Sequence, residues 1–131
     1  MRITEVRVTL ADEPGNVLAY CSITLDDAFA IRDVRLIQTD SRMLVSMPSR
    51  KAHTHCPVCA KRCDLLANYC QHCGGRMPAP EIPRREDGGG KLHFDIAHPV
   101  TQECRAAIHA AVVEAYLAAV AEQQEKTALA V

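Results

Sequence analysis

Hydrophobic and polar residues alternate along the first fifty positions of the chain, as they do in strands that bury one face. The alternation falls into four runs, 2–10, 17–25, 29–37 and 43–47, with turn-forming residues between them. The third run is expected to be irregular near Asp33. The connections are two to six residues long, and connections this short predict an antiparallel meander.

A helix is predicted close to the C-terminus. Between about 102 and 123, apolar residues recur at every fourth position and form one stripe along a helix, at Ile108, Val112, Tyr116 and Val120. Two starts are open, because Pro99 suits the first turn of a helix and Thr101 suits its N-cap. Residues 124–131 are expected to fray. Strands followed by one long helix predict an α+β fold, with a small antiparallel sheet and a C-terminal helix.

The composition changes in the middle of the chain. Residues 52–90 hold five cysteines, several prolines and a run of three glycines, whereas 92–96 is strand-like again. We therefore divide the chain into an α+β body, 1–51 with 91–131, and an inserted module at 52–90. No internal repeat is evident in the sequence. The body is small, so oligomerisation would help to bury the faces of its sheet and helix.

The inserted module carries two Cys-x-x-Cys hooks, Cys56 with Cys59 and Cys70 with Cys73, separated by ten residues. The hooks match a Cys₄ zinc ribbon, since two such turns can complete a tetrahedron of sulfurs about 2.3 Å from zinc. Four thiolates leave no open position, so the predicted Zn²⁺ is structural, and iron in a rubredoxin-like site is the alternative. Cys63 is interpreted as a free thiol. Alternative ligands by residue type are His53, His55 and His72.

Charge and composition narrow the function. The 131 residues hold 15 Lys and Arg against 16 Asp and Glu, a net charge of -1, which excludes a polybasic protein that grips nucleic acid by charge alone. The five aromatic residues are expected to serve the core, which disfavours a protein that stacks single-stranded bases. The sequence shows no spanning helix, secretory signal or catalytic constellation, and it therefore predicts a cytoplasmic protein that is not an enzyme.

Several segments of the body resemble the SpoVG family of septation regulators (stage V sporulation protein G). Those that carry the resemblance most clearly are Ser22-Ile23-Thr24-Leu25-Asp26, Asp33-Val34-Arg35-Leu36-Ile37, Met47-Pro48-Ser49-Arg50-Lys51, Phe94-Asp95-Ile96 and His98-Pro99. The resemblance continues along the C-terminal helix. It implies a small antiparallel sheet with a C-terminal helix and a homodimer formed by strand pairing. It also implies sequence-dependent DNA binding, with RNA binding in some members, and a regulatory role in sporulation, septation or gene expression.

The residues that the family uses for binding carry over onto Arg50 and Lys51, and Arg105 matches a basic position of the helix. The family's short connection after the basic pair is replaced here by the cysteine insert, whose Lys61 and Arg62 would extend the contact surface. The helix itself departs from the family pattern because it is rich in acidic residues, which weakens its attraction for phosphates.

Two other functions stay open from the sequence. The first is a protein–protein adaptor that uses the ribbon as its docking module and the body as a dimerising platform. The second is a redox or zinc sensor in which Cys63 is the switching thiol.

Overall fold

The computed structural model describes residues 1–86 and 88–129, and these residues form two compact units. The body combines Met1–Pro48 with the described residues from Ala97 onward, and the cysteine unit is Ser49–Ile96. These boundaries lie outside the predicted insert at 52–90. The reason is a strand pairing between 49–51 and 93–95, two segments that flank the predicted insert and that we had assigned to the body.

The body contains a four-stranded antiparallel meander, as predicted. Its strands are β1 (Ile3–Leu10), β2 (Val17–Leu25), β3 (Phe29–Thr39) and β4 (Arg42–Ser46), in that spatial order. β1 and β4 are consequently the edge strands. Alternate apolar residues of the strands pack against one core, and in β2 Ala19, Cys21, Ile23 and Leu25 are all less than a tenth exposed.

Two local features shape this sheet. The β2–β3 hairpin turns at Asp26 and Asp27, whose φ angles of 51° and 53° suit a tight hairpin turn. The expected irregularity in β3 is present, because the pairing register shifts between Cys21 and Ile23, and Asp33 adopts a φ of 61°. A bulge of this kind re-aims the side chains beside it.

Helix α1 (Gln102–Leu129) covers one face of the sheet. Thr101 is the N-cap, since its Oγ1 accepts a hydrogen bond of 3.1 Å from the N–H of Cys104; this decides between the two predicted starts. The helix continues beyond residue 123 to Leu129, through the described part of the segment that was expected to fray, and residues 130 and 131 lie outside the described residues. Its predicted stripe is confirmed, with Ile108 and Val112 5% and 0% exposed against the strands.

By length and composition alone, the segment Gln102–Ala128 could also cross a membrane, whereas no spanning helix was predicted from the sequence. Core helices of other proteins pass the same test. Ile108 and Val112 lie in one cluster with buried residues of β2 and β3, so one stripe of α1 packs against the body, although only 11% of its most apolar window is buried.

The cysteine unit holds two short antiparallel ribbons. β5 (Ser49–Lys51) pairs with β8 (His93–Asp95), and β6 (His53–His55) pairs with β7 (Arg62–Asp64). The β5–β8 pairing brings the strand predicted at 92–96 into this unit. A second buried cluster consists of Cys56, Cys63, Cys70 and Met77.

Candidate metal centre and basic surface

Each Cys-x-x-Cys hook is the tip of a hairpin with the same hydrogen bonds. The N–H of Cys56 donates to the carbonyl of Lys61 (2.9 Å), and the N–H of Ala60 donates to the carbonyl of Cys56 (2.8 Å). In the second hook the N–H of Cys70 donates to Gly75 (2.8 Å) and that of Gly74 to Cys70 (2.9 Å). Ala60 and Gly74 both have positive φ, 64° and 77°, so both hairpins close by the same backbone turn.

The similarity extends beyond the hooks, so 55–63 and 69–77 form a structural repeat. The residues that flank the hooks pair in the same way, His55 with Arg62 and Tyr69 with Arg76. The sequence analysis found no repeat. Apart from the cysteines and these arginines the two copies share few residues, and the repetition lies in the backbone hydrogen bonds, which residue types alone do not reveal.

The hairpins bring together the four cysteines that the sequence predicted as ligands. The sulfurs of Cys56, Cys59, Cys70 and Cys73 all lie within 4.8 Å of one another. The Cys56–Cys73 and Cys59–Cys70 sulfur separations are both 3.6 Å. Bonds of about 2.3 Å to a central metal place tetrahedral sulfurs about 3.8 Å apart. The four cysteines therefore fit a single metal ion with closed tetrahedral coordination.

Backbone N–H groups point at these sulfurs, as a thiolate cluster requires. The N–H of Val58 lies 3.3 Å from the Cys56 sulfur, and the N–H of His72 lies 3.3 Å from the Cys70 sulfur. The N–H groups of Cys73 and His72 lower the pKa of Cys70 to about 5. The N–H of Gly75 also favours the Cys73 thiolate, but the neighbouring sulfurs, led by that of Cys56, raise the pKa of Cys73 to about 12. Four sulfurs this close share protons unequally, and a bound cation would allow all four to ionise.

Cys63 stands beside this set of four without belonging to it. Its thiol donates to the Cys70 sulfur at 3.4 Å, and its side chain is 2% exposed. Burial raises the pKa of Cys63. In the structural repeat Cys63 corresponds to Met77, which is also buried beneath the hooks. This correspondence indicates a packing position, in agreement with the interpretation of Cys63 as a free thiol.

The predicted basic pair, Arg50 and Lys51, lies on β5, where adjacent side chains point to opposite faces. Arg50 stands opposite Phe94, and its guanidinium lies 5.8 Å from the centre of that ring. Lys51 stands opposite His93, and both border a cavity of about 160 Å³ on the other face. The two charges therefore cannot meet one phosphate backbone from the same face of this ribbon.

Arg50 instead belongs to a cluster around His53. Its Nη1 donates a hydrogen bond of 2.7 Å to Nδ1 of His53. Burial together with the cations Arg62 and Arg50 lowers the pKa of His53. Of the predicted contact residues, Arg50 thus touches this imidazole and Arg62 acts on it electrostatically.

The other two predicted contact residues are exposed and lie elsewhere. Lys61 ends the first hook. Arg105 lies in the first turns of α1 and borders a small cleft of the body.

Comparison with known proteins identifies the relatives of this chain. The family model for SpoVG matches residues 1–118. The chain belongs to the SpoVG family. A protein of Bdellovibrio bacteriovorus named "Putative septation protein SpoVG" is 34% identical over 116 residues, which cover 88% of this chain and 73% of that protein. Proteins with the same name are similar in Desulforudis audaxviator (30% over 116 residues; 88% and 91% covered) and Clostridium beijerinckii (28% over 123 residues; 94% and 96% covered).

In this SpoVG protein the two units differ in charge. The cysteine unit, 49–96, contains eight Lys and Arg against five Asp and Glu, whereas the rest of the chain contains seven against eleven. The near-neutral total charge therefore conceals a basic unit and an acidic body.

One basic residue close to Arg50 in the cysteine unit, Lys91, was not predicted as a contact residue. Its Nζ lies 4.9 Å from the centre of the Phe94 ring, which Arg50 also approaches. No pattern in the sequence would have found it, because strand alternation places residues three apart on opposite faces and Lys91 lies before β8.

Proposed function

We propose that this SpoVG protein is a nucleic-acid-binding regulator whose cysteine unit supplies the main phosphate-binding surface, acting on DNA and in some settings RNA. The observation that carries the proposal is the cluster of Arg50, Arg62, Lys91 and His53 around Phe94 and the β6–β7 ribbon. Charge of one sign concentrated on one unit attracts phosphates even when the whole chain is near neutral.

The individual contacts support phosphate binding by this cluster. Arg50 is exposed and donates only to the His53 ring among the hydrogen bonds described for its side chain. A guanidinium offers five donors, so four remain for phosphate oxygens. Burial and the cations Arg62 and Arg50 lower the pKa of His53, and a bound phosphate would offset the charge of these cations and favour the imidazolium. Binding should therefore strengthen as the pH falls toward the pKa of His53.

The metal that we propose is Zn²⁺, held by Cys56, Cys59, Cys70 and Cys73. Four thiolates suit zinc and leave no position for substrate, so the role is structural, and we propose no catalytic activity. The ion would hold the two hooks together and thereby fix Lys61 and Arg62, which directly follow the first hook.

We further propose a homodimer and a cytoplasmic location. The sheet supports the dimer, because β1 and β4 end it on either side and an edge strand can pair with a second copy. The septation named in the relatives' descriptions is the process that we propose it regulates, at the level of gene expression.

Arg50→Ala and Lys51→Ala test the nucleic-acid proposal, because they remove equal charges from opposite faces of one ribbon. Fluorescence anisotropy with labelled duplex DNA and RNA would be measured across a salt series. We expect Arg50→Ala to weaken binding about tenfold and to reduce the duplex salt slope by about 0.9, and Lys51→Ala to have a smaller effect. Lys126→Ala, which removes one charge from α1, is the control. Unchanged binding by the double variant Arg50→Ala/Lys51→Ala at every salt concentration would refute the proposal.

A protein–protein adaptor is the second candidate, and exposed apolar side chains in the cysteine unit favour it. Val58, Leu66 and Tyr69 are 73%, 50% and 66% exposed. Val58→Asp should abolish cross-linking to a protein partner in cells and leave nucleic-acid binding intact. If neither the cross-links nor nucleic-acid binding change in Val58→Asp, the adaptor function is excluded for the first Cys-x-x-Cys hook, which contains Val58.

A further inference from the structure

The face of the body sheet opposite α1 carries an exposed aromatic side chain. Tyr20 on β2 is 46% exposed, and it pairs across the sheet with Thr9 of β1 and Arg35 of β3. Directly paired residues point to the same face, so these three side chains form one row. We had expected all five aromatic residues to serve the core. Tyr116 does pack against the core, but no aromatic side chain is among the fully buried residues of the part of the chain that the structure describes.

A shallow depression lies beside Tyr20. Its volume is about 350 Å³, and it is lined entirely by body residues, namely Arg7, Thr9, Tyr20, Cys21, Ser22, Arg32 and Asp33. The bulge in β3, where Asp33 has a φ of 61°, lies next to Arg32 and sets the direction of that side chain. The depression thus combines one phenol ring, two guanidinium groups, the hydroxyls of Thr9 and Ser22 and the carboxylate of Asp33, on a scale that fits a single nucleotide.

The charge of this face contrasts with the rest of the body. Arg7, Arg32, Arg35 and Arg42 lie on it, against the acidic Glu5 and Asp33. The body as a whole carries more acidic than basic residues, so its positive charge is concentrated where the ring is exposed. This complementarity points to an anionic ligand that also presents a flat apolar surface, and a nucleotide has both properties.

We propose that this face binds single-stranded nucleic acid, with one base stacked on Tyr20 and a neighbouring phosphate between Arg7 and Arg32. The proposal rests on the nucleic-acid function proposed above and adds a second contact surface with its own specificity. A base inside a duplex is already stacked on both sides and cannot lie flat on a side chain of a sheet. The face therefore selects unpaired strands, whereas the cysteine unit contacts phosphates of either form.

Glu5 modulates the proposed site. Its carboxylate accepts a hydrogen bond of 2.6 Å from Nε of Arg7, and both side chains are exposed. An exposed ion pair of this kind contributes little to stability, so a phosphate can replace Glu5 as the partner of Arg7. Because Glu5 competes with the ligand, its neutralisation should strengthen binding.

The test measures affinity for short labelled oligonucleotides by anisotropy, with single-stranded RNA, single-stranded DNA and duplex DNA as separate arms. Base stacking on an aromatic ring implies that Tyr20→Ser weakens single-strand binding about 5- to 150-fold, while Tyr20→Phe retains it. Arg32→Gln should lower the single-strand salt slope by about 0.7. Glu5→Gln should strengthen single-strand binding several-fold, and Lys126→Gln on α1 is the charge-matched control.

A second measurement does not depend on a disruptive variant. The chain has no tryptophan and three tyrosines, so tyrosine emission is readable. Single-stranded ligand should quench it in the parent, and Tyr20→Phe should bind equally well with most of the quenching lost. Tyr69→Phe, which alters an exposed tyrosine of the cysteine unit, should keep the quenching.

The outcomes separate this proposal from the function on which it rests. Loss of single-strand binding in Tyr20→Ser with duplex binding retained supports the sheet face. If Tyr20→Ser binds single-stranded and duplex nucleic acid as well as the parent does, the sheet-face proposal is overturned and the cysteine unit remains the nucleic-acid surface. A parent protein that binds no nucleic acid overturns both proposals. A change of oligomeric state in Tyr20→Ser without loss of single-strand affinity identifies the face as an interface between copies and also overturns it.

Discussion

Removal of the metal should unfold the hooks of the cysteine unit and leave the body folded. Beneath the hooks, the buried residues other than the four predicted ligands are Cys63 and Met77. A fully buried side chain of this size stabilises a fold by about 1.5–3 kcal/mol, whereas a structural zinc site contributes about 10–16 kcal/mol. The body has its own core of aliphatic residues, including Ile23, Val34 and Leu36, which are all 0% exposed. A bound metal would therefore be the dominant stabilising contribution to the hooks, whereas the body has a core of its own.

The assay is amide hydrogen exchange followed by NMR, before and after a chelator is added to the full chain. We expect protection to disappear between Cys56 and Met77 and to persist at Val34 and Val112. Far-ultraviolet circular dichroism should keep the signal of α1. Protection that survives in the hooks after the metal has been removed would refute the argument, and so would simultaneous unfolding of the body.

Two buried cysteines supply a matched control. Cys63 and Cys70 are 2% and 3% exposed and their sulfurs lie 3.4 Å apart, but only Cys70 belongs to the set of four. Cys70→Ala should abolish metal binding and expose the hooks to exchange. Cys63→Ala should retain one metal ion per chain. Loss of the ion from both variants would show that the fifth sulfur is a ligand.

Four further predictions follow from single contacts. Ala60→Gly should stabilise the metal-bound hooks by about 0.5–1 kcal/mol, because glycine relieves the positive φ; chelator competition measures it. Thr101→Ala should lower the free energy of unfolding of the body by about 1 kcal/mol through loss of the helix cap. Ile108→Ala should lower it by about 2–5 kcal/mol, because it leaves a cavity in the core. Urea denaturation measures both changes, and metal affinity should stay the same. Arg50→Ala should raise the pKa of His53 in an NMR titration. Since this pKa is lowered from 6.5 in the folded protein, the contribution of His53 to stability is present above pH 6.5 and is lost as the pH falls through the folded-state pKa. The variant should lose less stability than the parent over this pH range.

Most of the body could be predicted from the sequence. The strand limits of the meander differ from the prediction by at most two residues, and the strained bulge at Asp33 lies where the alternation breaks. These features depend on neighbours in the chain, because turn residues and period-two alternation are local. The end of α1 was placed too early, because a sequence pattern shows which residues favour a helix but is least reliable at the helix ends.

The contact surfaces could not be predicted in the same way. Arg50 and Lys51 are adjacent in sequence and lie on opposite faces, while Arg50 and Lys91 share one ring across forty residues of chain. Tyr20 was assigned to the core on composition, and its position on the open face follows from its pairing with Arg35. Side-chain direction depends on strand pairing, and strand pairing joins residues that are distant in sequence.

The chain by itself therefore determined its cysteine cluster and its layers. Two Cys-x-x-Cys turns can point their sulfurs at one centre wherever they occur, and alternating strands must bury one face. Only the tertiary structure decided which charges and rings share a surface. The register between strands, which decides this, is set by the packing of the whole unit, and a shift of one residue would turn each of those side chains to the other face.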